Sequence, residues 1–166
     1  MHEPSLHSSS DSIVNLACFE VGGGFYALEV GYVREIVRMG EITPLPNSPS
    51  LIEGVVDLRG SIIPVLDLSR VLSRGRGDPD SDARIVILDY EDLALGLWVE
   101  AATEVLSLDA SRLEAVPGLA TGAGYDAVSS MVRRDGEAPV MVLSLDTLVE
   151  CVYRSARSSD AAKEPA

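Results

Sequence analysis

The side chains of this sequence that could do chemistry are few, and most are badly placed for it. His2 and His7 are the only histidines, and both lie in the polar opening stretch MHEPSLHSSSDS. That stretch reads as an unstructured tail, so a serine or cysteine nucleophile lacks its usual general base. Cys18 and Cys151 are far apart and have no CxxC spacing. Ordinary zinc sites, which draw on closely spaced His and Cys, are therefore not expected, and a reduced, cytosolic setting is the simpler reading. Cys18 sits in the apolar run Leu16-Ala-Cys-Phe and reads as a small core residue. Asp57 and Asp67 are the carboxylate types that a hydrolase would use, but acidic residues at strand ends are usually solvated. Gly22-Gly-Gly24 has no Walker-type lysine and no helix opening onto it, which argues against a phosphate cradle. GLATGAG (118–124) reads as a loop. The expectation is a protein that binds and does not catalyse, with no metal and no cofactor.

One group remains. Arg59 sits in VVDLRGSIIPVLDL (55–68), at the turn between two apolar runs, in a chain of net charge −13. It either solubilises the turn or serves as a contact. An arginine suits the second role, because its planar fork can hold a carboxylate and still offer donors to a partner.

The elements that must position these groups read as short strands. Leu16–Val21 and Phe25–Val30 flank the triple glycine, and Arg84–Tyr90 and Leu93–Val99 flank Glu91-Asp92. A third hairpin turns at Arg59-Gly60, and a fourth joins Met131–Arg134 to Pro139–Leu143 around Asp135-Gly136-Glu137. Gly60 and Gly136 supply the positive backbone angles of such turns. The strand Ile62–Leu66 reads as core throughout. Short helices fit after Val30, around Ser48–Leu51, at Leu68–Leu72 and at Asp146–Tyr153.

The spacing of Leu28, Val30, Glu35 and Ile36 recurs in Leu97, Val99, Glu104 and Val105. Each block leads to a proline-containing loop, a glycine-turn hairpin and an L-x-L, Leu66-Asp-Leu68 or Leu143-Ser-Leu145. This order of elements predicts a tandem pair of small barrels, each closing its own sheet and leaving a groove between them. The domain expectation is an N-terminal tail over 1–12, one folded region over 13–154 built from the two barrels, and a C-terminal tail over 155–166. A chain of this length buries roughly 68–70% of its unfolded surface without metal or disulfide staples. Its acidity argues against nucleic acid and anionic membranes. The sequence contains no apolar run of the roughly 18 residues that a membrane span needs.

The assembled motifs resemble the CheW-like coupling proteins of bacterial chemosensory systems. The resemblance runs from about Leu16 to Val152 through FYALEVGYVREIV (25–37), ITPLPNSPSLIEGVVDLRGSIIPVLDL (42–68), GLWVEAATEVLSL (96–108) and VMVLSLDTLVE (140–150). The second piece is the most specific. The resemblance implies a mainly β fold, with two intertwined SH3-like five-stranded β-barrels and a few short helices. It implies a scaffold that joins the cytoplasmic tip of a methyl-accepting chemoreceptor to the regulatory domain of a CheA-type histidine kinase. Such a protein would be cytoplasmic and recruited to receptor arrays, without direct membrane insertion. By the same resemblance the receptor docks between the barrels, with Val33, Glu35, Gly54, Arg59 and Val105 on its side and Glu35 paired to Arg59. Asp57 stands where the family more often has asparagine, Ala102 replaces a larger apolar residue, and Ser144 replaces the aspartate of the last L-D-L. Pathways for pili or gene regulation, a kinase regulator acting without a receptor, and a small-molecule sensor using the groove remain alternatives.

Overall fold

The computed structural model describes residues 12–72, 82–117 and 127–163, with side chains through Ser155. The N-terminal histidines and GLATGAG lie outside the described residues. Ten strands carry the fold: β1 (Ile13–Val21), β2 (Gly24–Glu29), β3 (Val33–Arg38), β4 (Ile52–Leu58), β5 (Ser61–Asp67), β6 (Arg84–Tyr90), β7 (Leu93–Val99), β8 (Ala101–Asp109), β9 (Val128–Arg134) and β10 (Glu137–Leu143). All four expected hairpins form.

The strands pair as two five-stranded sheets in the orders β8-β1-β2-β10-β9 and β3-β6-β7-β5-β4. The repeat visible in the sequence therefore does not coincide with the barrels. Strands β1–β5 form one repeat and β6–β10 the other. Each sheet takes the opening two strands of one repeat and the closing three of the other. Four pairings make the exchange: β2 with β10 and β5 with β7 in parallel, and β1 with β8 and β3 with β6 antiparallel. The expectation that each half closes its own sheet is corrected, and the intertwined arrangement stands.

Both sheets close by the same device. The chain after β3 returns to β4 at Thr43, which exchanges two backbone hydrogen bonds of 2.9 Å with Val55. The chain after β8 returns to β9 at Glu114, which exchanges two of 2.8 Å with Met131.

Three apolar clusters follow from this topology. The largest is shared, with Phe19, Val21 and Leu28 from one sheet against Leu66, Val86, Leu88 and Leu97 from the other. Smaller clusters fill each barrel separately, around Leu16, Ala27 and Val140 in the first and around Ile63, Val65 and Ile87 in the second. The space between the sheets is thus filled by side chains.

Each L-x-L motif opens a helix. Asp67 caps α1 (Leu68–Val71), its carboxylate accepting the Ser69 N–H at 3.1 Å. Ser144 caps α2 (Leu145–Lys163), its hydroxyl accepting the Thr147 N–H at 3.2 Å. Serine and aspartate are comparably good N-caps, so the Ser144 departure preserves the motif's job. A short 3-10 turn spans Val30–Tyr32 after β2. Two helix expectations change. Residues 48–51 form no helix; 50–51 make a turn leading into β4. The last helix runs to Lys163 instead of Tyr153, so 155–163, expected as tail, continues its backbone. Extending a nucleated helix costs far less than starting one, and composition alone does not show that.

Candidate functional site

The β4–β5 turn of the second sheet carries an exposed arginine. Leu58 pairs with Ser61, which leaves Arg59 and Gly60 as a two-residue connection. Both have positive φ, +52° for Arg59 and +88° for Gly60. That is the mirror-image turn whose twist suits a hairpin. Glycine enters such backbone freely, whereas a residue with a Cβ is uncommon there.

From this turn Arg59 reaches across to Glu35 on β3 and forms an ion pair. Strands β3 and β4 are the two edges of the sheet, so the pair clasps the barrel where it closes. Arg59 remains 70% exposed and Glu35 only 28%. The guanidinium therefore keeps most of its surface, and most of its five donors, facing outward.

The other site residues fall as follows. Val33 lies two positions before Glu35 on β3 and packs against the shared core. Gly54 is buried in β4, where a Cβ would overlap the Thr43 carbonyl oxygen and lie 2.8 Å from Ile42 Cγ2. Glycine is thus required there for the barrel to close. Val105 is 64% exposed on β8, an edge strand of the other sheet. The structure joins Glu35 to Arg59 directly, sets Val33 and Gly54 on the same sheet, and leaves Val105 on the other.

Ile62 is a correction. Expected in the core, it is 63% exposed, pairs with Asp57, and stands just beyond the turn. The alternation of β5 buries Ile63 and Val65 and turns Ile62 outward. The hairpin end therefore presents an arginine and an isoleucine together. The alternation of a half-buried strand was the signal for it.

Sequence reasoning also missed a second ion pair. Glu104, the repeat counterpart of Glu35, pairs with Arg134 beside the β9–β10 turn at 3.1 Å. Arg134 is only 13% exposed. It also donates to the Ala138 carbonyl at 2.9 and 3.1 Å and lies 5.0 Å from the centre of the Phe25 ring. Here all three guanidinium nitrogens have a partner and one face lies over a ring.

The carboxylates do not assemble a reactive pair. Asp57 pairs with Ile62 at one end of β5 and Asp67 ends the other. At a rise of about 3.4 Å per residue they stand roughly 17 Å apart, beyond the roughly 9.5 Å that paired catalytic carboxyls use. Asp57 accepts the Gly60 N–H at 2.9 Å, and buried Asp67 is held by Ser69 and Arg70. The Gly22 N–H is donated to the Glu100 carboxylate at 2.6 Å. Cys18 is buried, and its thiol is pushed up to about 11 by desolvation first and by the Glu104 charge second. An apolar pocket of about 170 Å³ opens between α2 and the second sheet, lined by Ile52, Pro64, Leu95, Val149, Val152 and Tyr153. Ile52, Leu95 and Val149 also belong to the shared core cluster, so the pocket borders it. No helix among the described residues is long and apolar enough to cross a membrane.

Comparison with known proteins gives a consistent set. A family model described as a CheW-like domain matches residues 15–151. A chemotaxis protein CheW of Treponema pallidum is 27% identical over 89% of this chain and 92% of its own length. One from Rhizobium meliloti is 25% identical over 85% of this chain and 90% of its own. The crystal structure of the scaffolding protein TtCheW from Thermoanaerobacter tengcongensis superposes with a TM-score of 0.73, at 30% identity over 80% of this chain and 84% of that one.

Proposed function

The chain belongs to the CheW-like domain family and is a CheW-type adaptor of chemotaxis signalling; from that premise we propose that it joins the cytoplasmic tip of a chemoreceptor to a CheA-type kinase. The observation that carries the receptor half is the open side of Arg59. A guanidinium steadied by one carboxylate, beside the exposed Ile62, suits a helix that offers both acidic and apolar side chains. Val33 and Gly54 serve this surface from beneath by shaping β3 and β4, and Val105 adds an apolar contact from the other sheet. The kinase's regulatory domain, by this reading, pairs barrel to barrel through aliphatic strand edges. The protein works in the cytoplasm and reaches receptor arrays only through these partners. It acts by bringing others together and carries out no reaction of its own.

Reconstitution tests this reading. A receptor-tip fragment, a CheA-type kinase and this protein should form a three-part complex that the receptor and kinase alone do not form. Raising salt should weaken receptor binding more than kinase binding, because exposed charges are screened beyond roughly 10 Å at 0.1 M. Kinase control by the receptor that is equally strong without the protein would refute the coupling role. Equal salt slopes for the two partners would refute the division of surfaces.

A further inference from the structure

The Arg59 contact has an unusual foundation. The first position of a turn with two positive φ angles favours asparagine, aspartate or glycine, whose short or absent side chains tolerate it. Arginine gains no such tolerance, yet Arg59 adopts +52°. Among the described residues, Glu35 is the one partner of its side chain. Glu91, first in the β6–β7 turn, also has positive φ, +55°, but at Arg59 the turn carries a side-chain contact that can hold it in this form. Two residues earlier, Asp57 Oδ1 accepts the Gly60 N–H at 2.9 Å. That bond spans the turn with Arg59 inside it.

The other barrel shows the alternative. At the β9–β10 turn only Gly136 has positive φ. The arginine there, Arg134, lies on the strand, opposite Glu137, where the ladder itself fixes its backbone. No side chain is needed to clamp that turn for the arginine's sake.

We propose that Asp57 is a positioning residue for Arg59: by accepting the Gly60 N–H it holds the turn in the left-handed form from which the guanidinium reaches Glu35 and faces the receptor. The last step rests on the receptor-docking reading above. An asparagine at position 57 offers the same Oδ1 acceptor, so the two residue types are interchangeable in this role. Alanine is not.

Five proteins test it: wild type, Asp57→Asn, Asp57→Ala, Arg59→Ala and the double variant Asp57→Ala with Arg59→Ala, each first checked for folding by circular dichroism. Two readouts by NMR need no partner, the exchange rate of the Gly60 amide and the guanidinium signal of Arg59. A third is affinity for a receptor-tip fragment, measured also in an Arg59→Ala background. In Asp57→Ala the Gly60 amide should exchange faster and the guanidinium signal should broaden. Affinity should fall about fivefold, the loss expected when the competent turn drops to about one fifth of the population. Asp57→Asn should remain close to wild type in all three. In the Arg59→Ala background, Asp57→Ala should add no further loss. An unchanged guanidinium signal in Asp57→Ala would overturn the proposal. So would an Asp57→Asn protein as impaired as Asp57→Ala, since charge and not the acceptor would then be at work. Absence of fragment binding by the wild type would refute the receptor reading, and the two NMR signals would still decide the role of Asp57.

Discussion

The two barrels each carry a glutamate–arginine pair beside a glycine turn, and the pairs differ by one residue of placement. In the first barrel Arg134 is the last residue of β9, before Asp135-Gly136, while in the second Arg59 has moved into the turn itself. The strand-borne arginine lies down on Phe25 and the Ala138 carbonyl, and its charge is consumed internally. The turn-borne arginine stands up with one partner and keeps its outer donors. One barrel uses the pair to finish its fold, and the other displays it. Shifting a residue by one step along a hairpin thus changes a structural ion pair into a presented one, with no change of residue type.

The comparison makes the closing glycine the most sensitive point. Gly54 precedes Val55, the residue that receives Thr43, and the matching residue before Met131 is Ser130. The first barrel therefore tolerates a Cβ where the second has no room for one. Gly54→Ala should destabilise by about 3 kcal/mol through overpacking, a fall of roughly 10 °C in Tm. Calorimetry showing a loss under about 0.5 kcal/mol, the usual range of surface changes, would mean the two closures are alike.

Arg134→Ala should come next, at roughly 1.5–3 kcal/mol, since it removes charged hydrogen bonds from a nearly buried site. Arg59→Ala should cost no more than about 1 kcal/mol, the worth of an exposed pair. Denaturant midpoints of the two variants check this directly. Equal losses would erase the distinction drawn here.

The smallest effect concerns Cys18, which pairs across β1–β8 with Glu104. Its thiol is raised to about 11, above the unfolded value near 9, so the folded form holds its proton more tightly. The neutral thiol's contribution to stability is fully present below about pH 9 and is lost as pH rises towards 11. Cys18 should therefore resist alkylation at pH 8 while the partly exposed Cys151 reacts. Glu104→Gln should speed labelling of Cys18 modestly. No change on that substitution would leave burial as the sole cause.

The hairpins were legible because each announces itself locally, through glycine or acidic residues between apolar runs. The repeat was legible too, but which strands share a sheet was not. The parallel pairings of β2 with β10 and β5 with β7 join residues far apart in the chain and leave no local mark. The Glu35–Arg59 pair was anticipated only through the family resemblance, and the Glu104–Arg134 pair was overlooked because Arg134 lies one position off its counterpart. Ile62 was misplaced because five consecutive apolar or proline residues hid the alternation of β5.

Whether the displayed pair faces the receptor is tested most directly by reversing its charge. Receptor-tip and kinase affinities should be measured side by side for wild type, Arg59→Glu, and the exchange Glu35→Arg with Arg59→Glu, after circular dichroism confirms each fold. Arg59→Glu turns the cation offered to the receptor into a like charge facing its acidic side chains, and such a juxtaposition across an interface costs several kcal/mol. Receptor affinity should fall by at least about tenfold, equivalent to about 1.4 kcal/mol, while kinase affinity and folding hold. The exchange should recover part of the loss, because it restores the clasp between β3 and the turn. Wild-type receptor affinity in Arg59→Glu would contradict the account and reduce Arg59 to a solubilising residue of its turn.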